Sequence, residues 1–176
     1  MPKWFKDVLL VVAVAGAAYG VARLVVKHSA QNGAVGTSIS SISVQRMGED
    51  SVSKIQFGNS PVLLYIFEES CQYCEQQVSG WEQLANRAAP YARVLAISTR
   101  PLIPTSDAKL LHTDGVEYVG AASFTSLQKQ FGIAGVPVTI VISRSHRIQE
   151  VRSGLQPELS LAEILDIAKR ANSSQK

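Results

Sequence analysis

The chain has 176 residues, of which 46% are hydrophobic and 18% are charged, a composition typical of one globular domain with room for an additional segment. Its formal net charge is +3, and its Lys and Arg residues are scattered rather than interleaved with aromatic residues. This pattern argues against a nucleic-acid-binding protein.

The amino-terminal segment is predicted to enter a membrane. Residues Val8 to Ala22 carry no charge, and Arg23 is the one charged residue between them and Val26. A helix over these roughly 19 residues would span about 28 Å, close to the hydrocarbon thickness of a bilayer. We therefore predict that residues 1–28 form a transmembrane anchor. A cleaved signal peptide is the alternative, because a basic start, an apolar stretch and small residues also fit that pattern.

Both interpretations place the rest of the chain outside the cytosol. Residues 29–37 are small, polar and glycine-containing, and we interpret them as a linker. Residues 38–176 follow as the predicted folded domain. An oxidising compartment also fits the cysteine content, because the only two cysteines, Cys71 and Cys74, are spaced for thiol-disulfide exchange.

The domain is predicted to begin with an edge hairpin followed by a buried strand. Short alternating pieces within residues 38–58 indicate the edge strand or hairpin. Residues 61–67 are nearly all apolar, with β-branched and aromatic members, which is typical of a strand buried on both faces of an α/β sheet. Tyr65 and Phe67 within this strand are expected to be core residues.

A helix and a second buried strand are predicted next. From Cys71 onward the apolar residues recur with a helical period, and Ala89-Pro90 end the helix. Residues 93–98 form the second strand, so this unit is strand, helix, strand. The predicted apolar face of the helix consists of Val78, Trp81, Leu84, Ala85 and Ala88.

The rest of the domain is predicted to contain further strands and helices. They are a short helix over 105–111, a strand over 116–119, a helix over 123–131, and strands over 138–142 and 147–151 that form a hairpin. Residues Ser160 to Glu163 have the sequence of a capping box, which predicts that the last helix begins at Ser160.

The chemistry of the chain is expected at Cys71 and Cys74, which lie between the buried strand and the helix. The unpaired N–H groups and the positive dipole end of a helix's first turn favour a thiolate at Cys71 over one at Cys74. Cys71 would attack a substrate disulfide and Cys74 would resolve the mixed disulfide. Half of a zinc site has the same spacing, and a purely structural disulfide is a further alternative. A zinc site needs more ligands, however, and the three histidines stand alone in the sequence.

The Cys-x-x-Cys motif, followed later by Val136-Pro137 at the start of a strand, resembles the thioredoxin-like superfamily over roughly Val52 to Ala171. An additional segment around residues 101–122 and the anchor make the chain similar to the TlpA/ResA-type membrane-tethered oxidoreductases. The resemblance implies an α/β fold with a central mixed sheet flanked by helices and an insertion before the strand that follows a cis proline. It also implies that Val136 and Pro137 face the disulfide and bind an extended substrate.

The resemblance further implies a function outside the cytosol. This function is the reduction of protein disulfides, for example in cytochrome c maturation or in the quality control of secreted proteins. The electrons would come from a membrane thiol donor, and neither an organic cofactor nor a metal would be needed. The alternatives are a thiol oxidase or isomerase of similar fold, and a non-catalytic membrane-tethered module for binding or assembly.

Two positions depart from the family's pattern. Tyr65 stands where thioredoxins carry a buried aspartate. Gln77 stands where ResA-type proteins carry a glutamate. The usual proton acceptor for Cys74 is therefore missing from the sequence.

Three nearby carboxylates are the candidates to replace that acceptor, namely Glu68, Glu69 and Glu75. A solvated acidic turn is the alternative interpretation of all three. Their negative charges would also disfavour a thiolate at Cys71, which favours a reductant over a strong oxidant.

Overall fold

The structure, a computed structural model, describes residues 34–46, 48–49, 51–100 and 113–173. The predicted anchor over residues 1–28 and the helix predicted over 105–111 lie outside these ranges. None of the helices within the described ranges combines the length and apolarity that crossing a membrane requires.

A mixed sheet runs through the described part of the chain. Its seven strands are β1 (Ser41–Gln45), β2 (Val52–Gln56), β3 (Val62–Phe67), β4 (Arg93–Ser98), β5 (Val116–Ala121), β6 (Val138–Ile142) and β7 (Ile148–Ser153). They lie side by side in the order β2-β1-β5-β4-β3-β6-β7. β3, β4 and β5 are parallel, whereas the β1-β2, β1-β5, β3-β6 and β6-β7 pairs are antiparallel. The mixed sheet and both predicted hairpins are confirmed.

Within the described residues, three helices cover the two faces of the sheet. They are α1 (Gln72–Ala88), α2 (Phe124–Phe131) and α3 (Glu158–Ser173). α1 and α3 pack on one face and α2 packs on the other. The two helices on the shared face approach closely at Gly80, where a Cβ atom would lie 2.8 Å from Leu161 Cδ1.

The central strand β3 is buried along its whole length, as its apolar sequence predicted. Because side chains alternate across a strand, Tyr65 and Phe67 face α1 and α3, while Leu64 and Ile66 face α2. Trp81 of α1 is fully buried against the first of these faces. Tyr65, Phe67 and Trp81 are therefore core residues, as expected.

The last helix begins at Glu158, so the prediction that it starts at Ser160 is wrong. The Leu161 N–H already donates to the Pro157 carbonyl at 3.2 Å, which closes a helical turn before Ser160 could cap it. Pro157 suits the start of a helix because a missing N–H needs no partner there.

Two segments that the sequence analysis interpreted as an insertion and a linker are joined to the sheet, the first through the strand predicted over 116–119. β5 falls within the segment interpreted as an insertion, and it pairs with β4 in parallel. The end of the predicted linker, from Ala34 to Thr37, is bound to β7: the Gly36 N–H donates to the Ile148 carbonyl at 2.8 Å, and the Ile148 N–H donates to the Thr37 carbonyl at 3.0 Å. The described residues of both segments are thus part of the folded domain.

Candidate active site

Cys71 occupies the N-cap position of α1, where the chain has just left β3. Its backbone is extended, with φ −90° and ψ 110°, and the Cys74 N–H donates to its Sγ at 3.2 Å. The Cys71 sulfur thus takes the place of the oxygen that usually caps a helix, at the positive end of the helix dipole. The Cys71 side chain is half-buried and both cysteines are free thiols.

Cys74 lies one turn further into α1 and is only 2% exposed. The pKa of the Cys74 thiol is raised from about 9 to about 12, mainly because the thiol is buried. The hydrogen bond with Cys71 and the charges of Cys71 and Glu68 also raise this pKa, whereas a hydrogen bond with the Glu68 backbone lowers it. Cys74 is therefore a neutral thiol at neutral pH. Two sulfurs of the same motif thus lie in different environments.

The loop before β6 brings Val136 and Pro137 to the cysteine pair. The peptide bond between them is cis, as the resemblance implied. The Cys71 thiol donates to the Val136 carbonyl, with 3.9 Å between sulfur and oxygen. Val136 is half-buried, whereas Pro137 is buried.

The three candidate carboxylates differ in their surroundings. Glu68 is half-buried, and its carboxylate binds the guanidinium of Arg100 at 2.7 Å. Its charge also contributes to the raised pKa of Cys74. Glu69 and Glu75 are exposed. Of the three, Glu68 is thus the one whose charge is seen to act on Cys74.

Gln77 links α1 to the loop that follows β7. It is 3% exposed; its Oε1 accepts from the Gln156 N–H, and its Nε2 donates to the Gln156 carbonyl at 3.3 Å. Gln156 Nε2 in turn donates to the Gly154 carbonyl at 2.9 Å, and the Gly154 N–H donates to the Pro137 carbonyl at 2.7 Å. A chain of hydrogen bonds therefore connects the cysteine helix to Pro137. The sequence signal for it was a glutamine among the apolar positions of α1.

Tyr65 lies beneath the cysteine pair in the same buried cluster as Cys74. Its ring is fully buried, with the ring centroid 4.3 Å from that of Trp81 and 5.9 Å from that of Phe67. Its hydroxyl has no hydrogen-bond partner among the described residues. Burial raises the pKa of Tyr65, and the charges of Cys74 and Cys71 raise it further. The sequence predicted the ring's place in the core but not this relation to the cysteines.

No group of three His, Cys, Asp or Glu side chains in the described ranges could hold a metal ion. His146 Nε2 lies 2.7 Å from the Gly58 carbonyl oxygen, so it takes part in a contact between two turns. His28 and His112 lie outside the described residues.

No protein-family model matches the chain, and no curated protein sequence matches it. Solved structures do match. One assigned as the thiol:disulfide interchange protein DsbE from Chlorobium tepidum is 21% identical, with a TM-score of 0.57 over 78% of this chain and 96% of that one. A secreted thiol-disulfide isomerase from Corynebacterium glutamicum is 22% identical, with a TM-score of 0.55 over 79% and 86%. The exposed lipoprotein thioredoxin Etrx1 from Streptococcus pneumoniae is 12% identical, with a TM-score of 0.54 over 72% and 98%. The chain has the thioredoxin-like α/β fold.

Proposed function

We propose that this protein is a thiol-disulfide oxidoreductase of the TlpA/ResA type that reduces disulfides in protein substrates. The observation that carries the proposal is the pairing of a half-buried Cys71 at the helix N-cap with a buried Cys74 one turn behind it. The Val136-Pro137 loop lies against Cys71, as a substrate-binding loop must. The fold shared with oxidoreductases and isomerases of this chemistry supports the same conclusion.

The reaction would proceed in two exchanges. The Cys71 thiolate attacks one sulfur of a substrate disulfide, a mixed disulfide forms, and the other substrate sulfur leaves as a thiolate. Cys74 then loses its proton and attacks the Cys71 sulfur, so the Cys71–Cys74 bond forms and the second substrate sulfur leaves. The substrate has gained two electrons and two protons, and the protein is left oxidised.

Glu68 is the carboxylate that we assign as the proton acceptor for Cys74. Its charge acts on the Cys74 thiol, and its backbone carbonyl accepts from the Cys71 N–H at 3.1 Å, which places the residue beside the cysteine pair. Arg100 holds the carboxylate in place through the 2.7 Å ion pair. Glu69 and Glu75 are exposed, and we assign them to the solvated surface.

An extended segment of the substrate would bind along Val136 and Pro137. Pro137 is buried and has no N–H, so the backbone groups beside it would form the hydrogen bonds with the substrate. The position of the Val136 carbonyl, 3.9 Å from Cys71 Sγ, brings such a segment next to the attacking sulfur.

The direction of electron flow that we propose is reduction of the substrate. A strong oxidant of this chemistry stabilises its reduced, thiolate form. The raised pKa of Cys74 provides no such stabilisation at that sulfur. A membrane thiol donor would then restore the dithiol after each turnover.

We place the domain outside the cytosol, held there by residues 1–28 as an anchor. Two proteins of the same fold are described as secreted or as an exposed lipoprotein, which supports this setting. Substrates there would include apocytochrome c or secreted proteins with misplaced disulfides.

Trapping of mixed disulfides tests the function. Cys74→Ser in the full chain should accumulate covalent adducts with cellular proteins, because the first exchange proceeds and the second cannot. The adducts should run as reductant-sensitive bands that disappear in the Cys71→Ser, Cys74→Ser double variant. If Cys74→Ser traps nothing and Cys71→Ser cells behave as wild type, the chain is a binding module. A reduction potential at the oxidising end of the thioredoxin-like range would instead indicate an oxidase or isomerase.

A further inference from the structure

The Tyr65 hydroxyl is a buried polar group without an evident use in the fold. Its residue is fully buried, and the hydroxyl has no partner in the part of the chain that the structure describes. Buried hydroxyls are nearly always hydrogen-bonded, because leaving one unpaired destabilises the folded state. The Trp81 indole N–H and the Tyr118 hydroxyl are likewise unpaired among the described residues, so what distinguishes the Tyr65 hydroxyl is its surroundings.

Packing holds this hydroxyl near the cysteine pair. Tyr65 projects from β3 toward α1, into the buried cluster that contains Cys74. The rings of Trp81 and Phe67 lie against its ring, with the Trp81 centroid at 4.3 Å, and this restricts the ring's orientation. The charges of both cysteines act on the hydroxyl, that of Cys74 more strongly than that of Cys71.

The hydroxyl can act as a donor but not as a base. Burial and the nearby sulfurs raise the pKa of Tyr65, so the phenol keeps its proton at neutral pH. A buried thiolate at Cys74, by contrast, needs donors, because burial raises the pKa of that thiol to about 12. The unpaired Tyr65 hydroxyl and the Cys74 sulfur that needs a donor as a thiolate lie in the same cluster, which also contains the unpaired Trp81 N–H.

We propose that the Tyr65 hydroxyl donates a hydrogen bond to the Cys74 thiolate while Cys74 resolves the mixed disulfide. This inference rests on the proposed function. The proton of Cys74 passes to Glu68, the thiolate attacks the Cys71 sulfur, the Cys71–Cys74 bond forms, and the substrate sulfur leaves with the electron pair of the bond that breaks. Tyr65 keeps its own proton throughout.

The test uses Tyr65→Phe, which removes the oxygen and keeps the ring against Trp81. The full-length chain, reduced and purified in detergent, is mixed with the aromatic disulfide 5,5′-dithiobis(2-nitrobenzoate). Attack by Cys71 releases one coloured thiolate, and resolution by Cys74 releases the second, so a stopped-flow trace separates the two steps. Tyr118→Phe is the matched control: Tyr118 packs against the same cluster, but the charge that acts on it is that of Glu82.

We expect Tyr65→Phe to leave the first release unchanged and to slow the second by between about tenfold and about a hundredfold, the range for hydrogen bonds to charged groups. The second release should also need a higher pH than in wild type. Tyr118→Phe should change neither step. An unchanged second release in Tyr65→Phe, or an equal slowing of both releases, would overturn the inference.

A second variant covers the case in which Tyr65→Phe does not fold. Replacement of Tyr65 by 3-fluorotyrosine makes the hydroxyl a stronger donor with little change in shape, and it should speed the second release. A slower second release would overturn the inference. Failure of the proposed function would look different, since Cys74→Ser would then trap no cellular protein although the wild-type chain still released both coloured thiolates.

Discussion

Burial gives the two sulfurs of the pair different access to other molecules. Cys71 is half-buried at the start of α1, so a substrate disulfide can reach it. Cys74 is 2% exposed, and its side chain interacts with that of Cys71. This division matches what the two proposed exchange steps require. The first sulfur that reacts with Cys71 comes from another molecule, whereas the sulfur that reacts with Cys74 is always that of Cys71.

The environment of Cys74 predicts a loss of stability at alkaline pH. Unfolded, Cys74 would titrate near its ordinary pKa of about 9, whereas the fold raises that pKa to about 12. Between these two pH values the folded chain retains a proton that the unfolded chain has lost. The contribution of Cys74 to the free energy of unfolding is therefore complete below about pH 9 and is lost as the pH rises toward 12. Denaturant unfolding of the reduced protein at several pH values should show this decline.

Cys74→Ala is the control for that measurement. It should weaken the dependence of unfolding free energy on pH by up to about 1.4 kcal/mol per pH unit, the value for one proton. Tyr65 also has a raised pKa and contributes in the same direction, but it is present in both proteins. Parallel pH profiles for wild type and Cys74→Ala would contradict the prediction.

At the scale of elements, α1 positions both halves of the site. Its first turn carries the cysteines, and Gln77, one turn further along, binds Gln156 in the loop after β7. In that loop the Gly154 N–H donates to the Pro137 carbonyl. The helix and the loop before β6 are therefore coupled through Gln156 and Gly154. A change in this coupling should alter how protein substrates bind more than it alters the reactivity of the cysteines.

Gln77→Ala tests this coupling. The variant leaves both backbone groups of Gln156 without their partner, and we expect a loss of about 1–3 kcal/mol in unfolding free energy. Reduction of a protein disulfide should slow more than reaction with a small aromatic disulfide, which needs no loop. Gln76→Ala, an exposed neighbour on the same helix, is the control and should change neither rate. Equal effects of Gln77→Ala on both substrates would argue against a role in substrate binding.

At the scale of the whole molecule, residues 34–37, which precede the boundary predicted at residue 38, contact the edge strand β7. Ala34 is buried, and Gly36 and Thr37 form backbone hydrogen bonds with Ile148. The Arg147 guanidinium also donates to the Gly36 carbonyl at 2.9 Å. The segment that leads toward the proposed anchor is thus fastened to the edge strand β7.

Two fragments, residues 29–176 and residues 38–176, test this boundary. The shorter one lacks the backbone hydrogen bonds to β7 and the buried Ala34, so its unfolding free energy should be lower by about 1–3 kcal/mol. Both should react with a small aromatic disulfide at the same rate, because the site lies at the far end of β3. Identical denaturant midpoints would mean that residues 34–37 do not stabilise the domain.

Much of this protein could be predicted from its sequence because the signals are local. An apolar run predicts a buried strand, a helical period predicts a helix, and the position of Cys71 between the two predicts a sulfur at a helix start. The helix start predicted at Ser160 was wrong because it also depended on a local signal, the capping-box sequence. In the structure the helix begins earlier, at Glu158, directly after Pro157.

The composition of the site depends on contacts between residues that are distant in the chain. Cys71 and Val136 are 65 positions apart, and Gln77 and Gln156 are 79 positions apart. The sequence by itself determined the order of the elements, the cysteine pair at the start of α1 and the burial of Tyr65. Only the tertiary structure decided which carboxylate acts on Cys74, what Gln77 binds and that the Tyr65 hydroxyl has no hydrogen-bond partner among the described residues. The physical reason is that hydrogen bonding and desolvation depend on which groups the fold brings together, and no local period in the sequence records that.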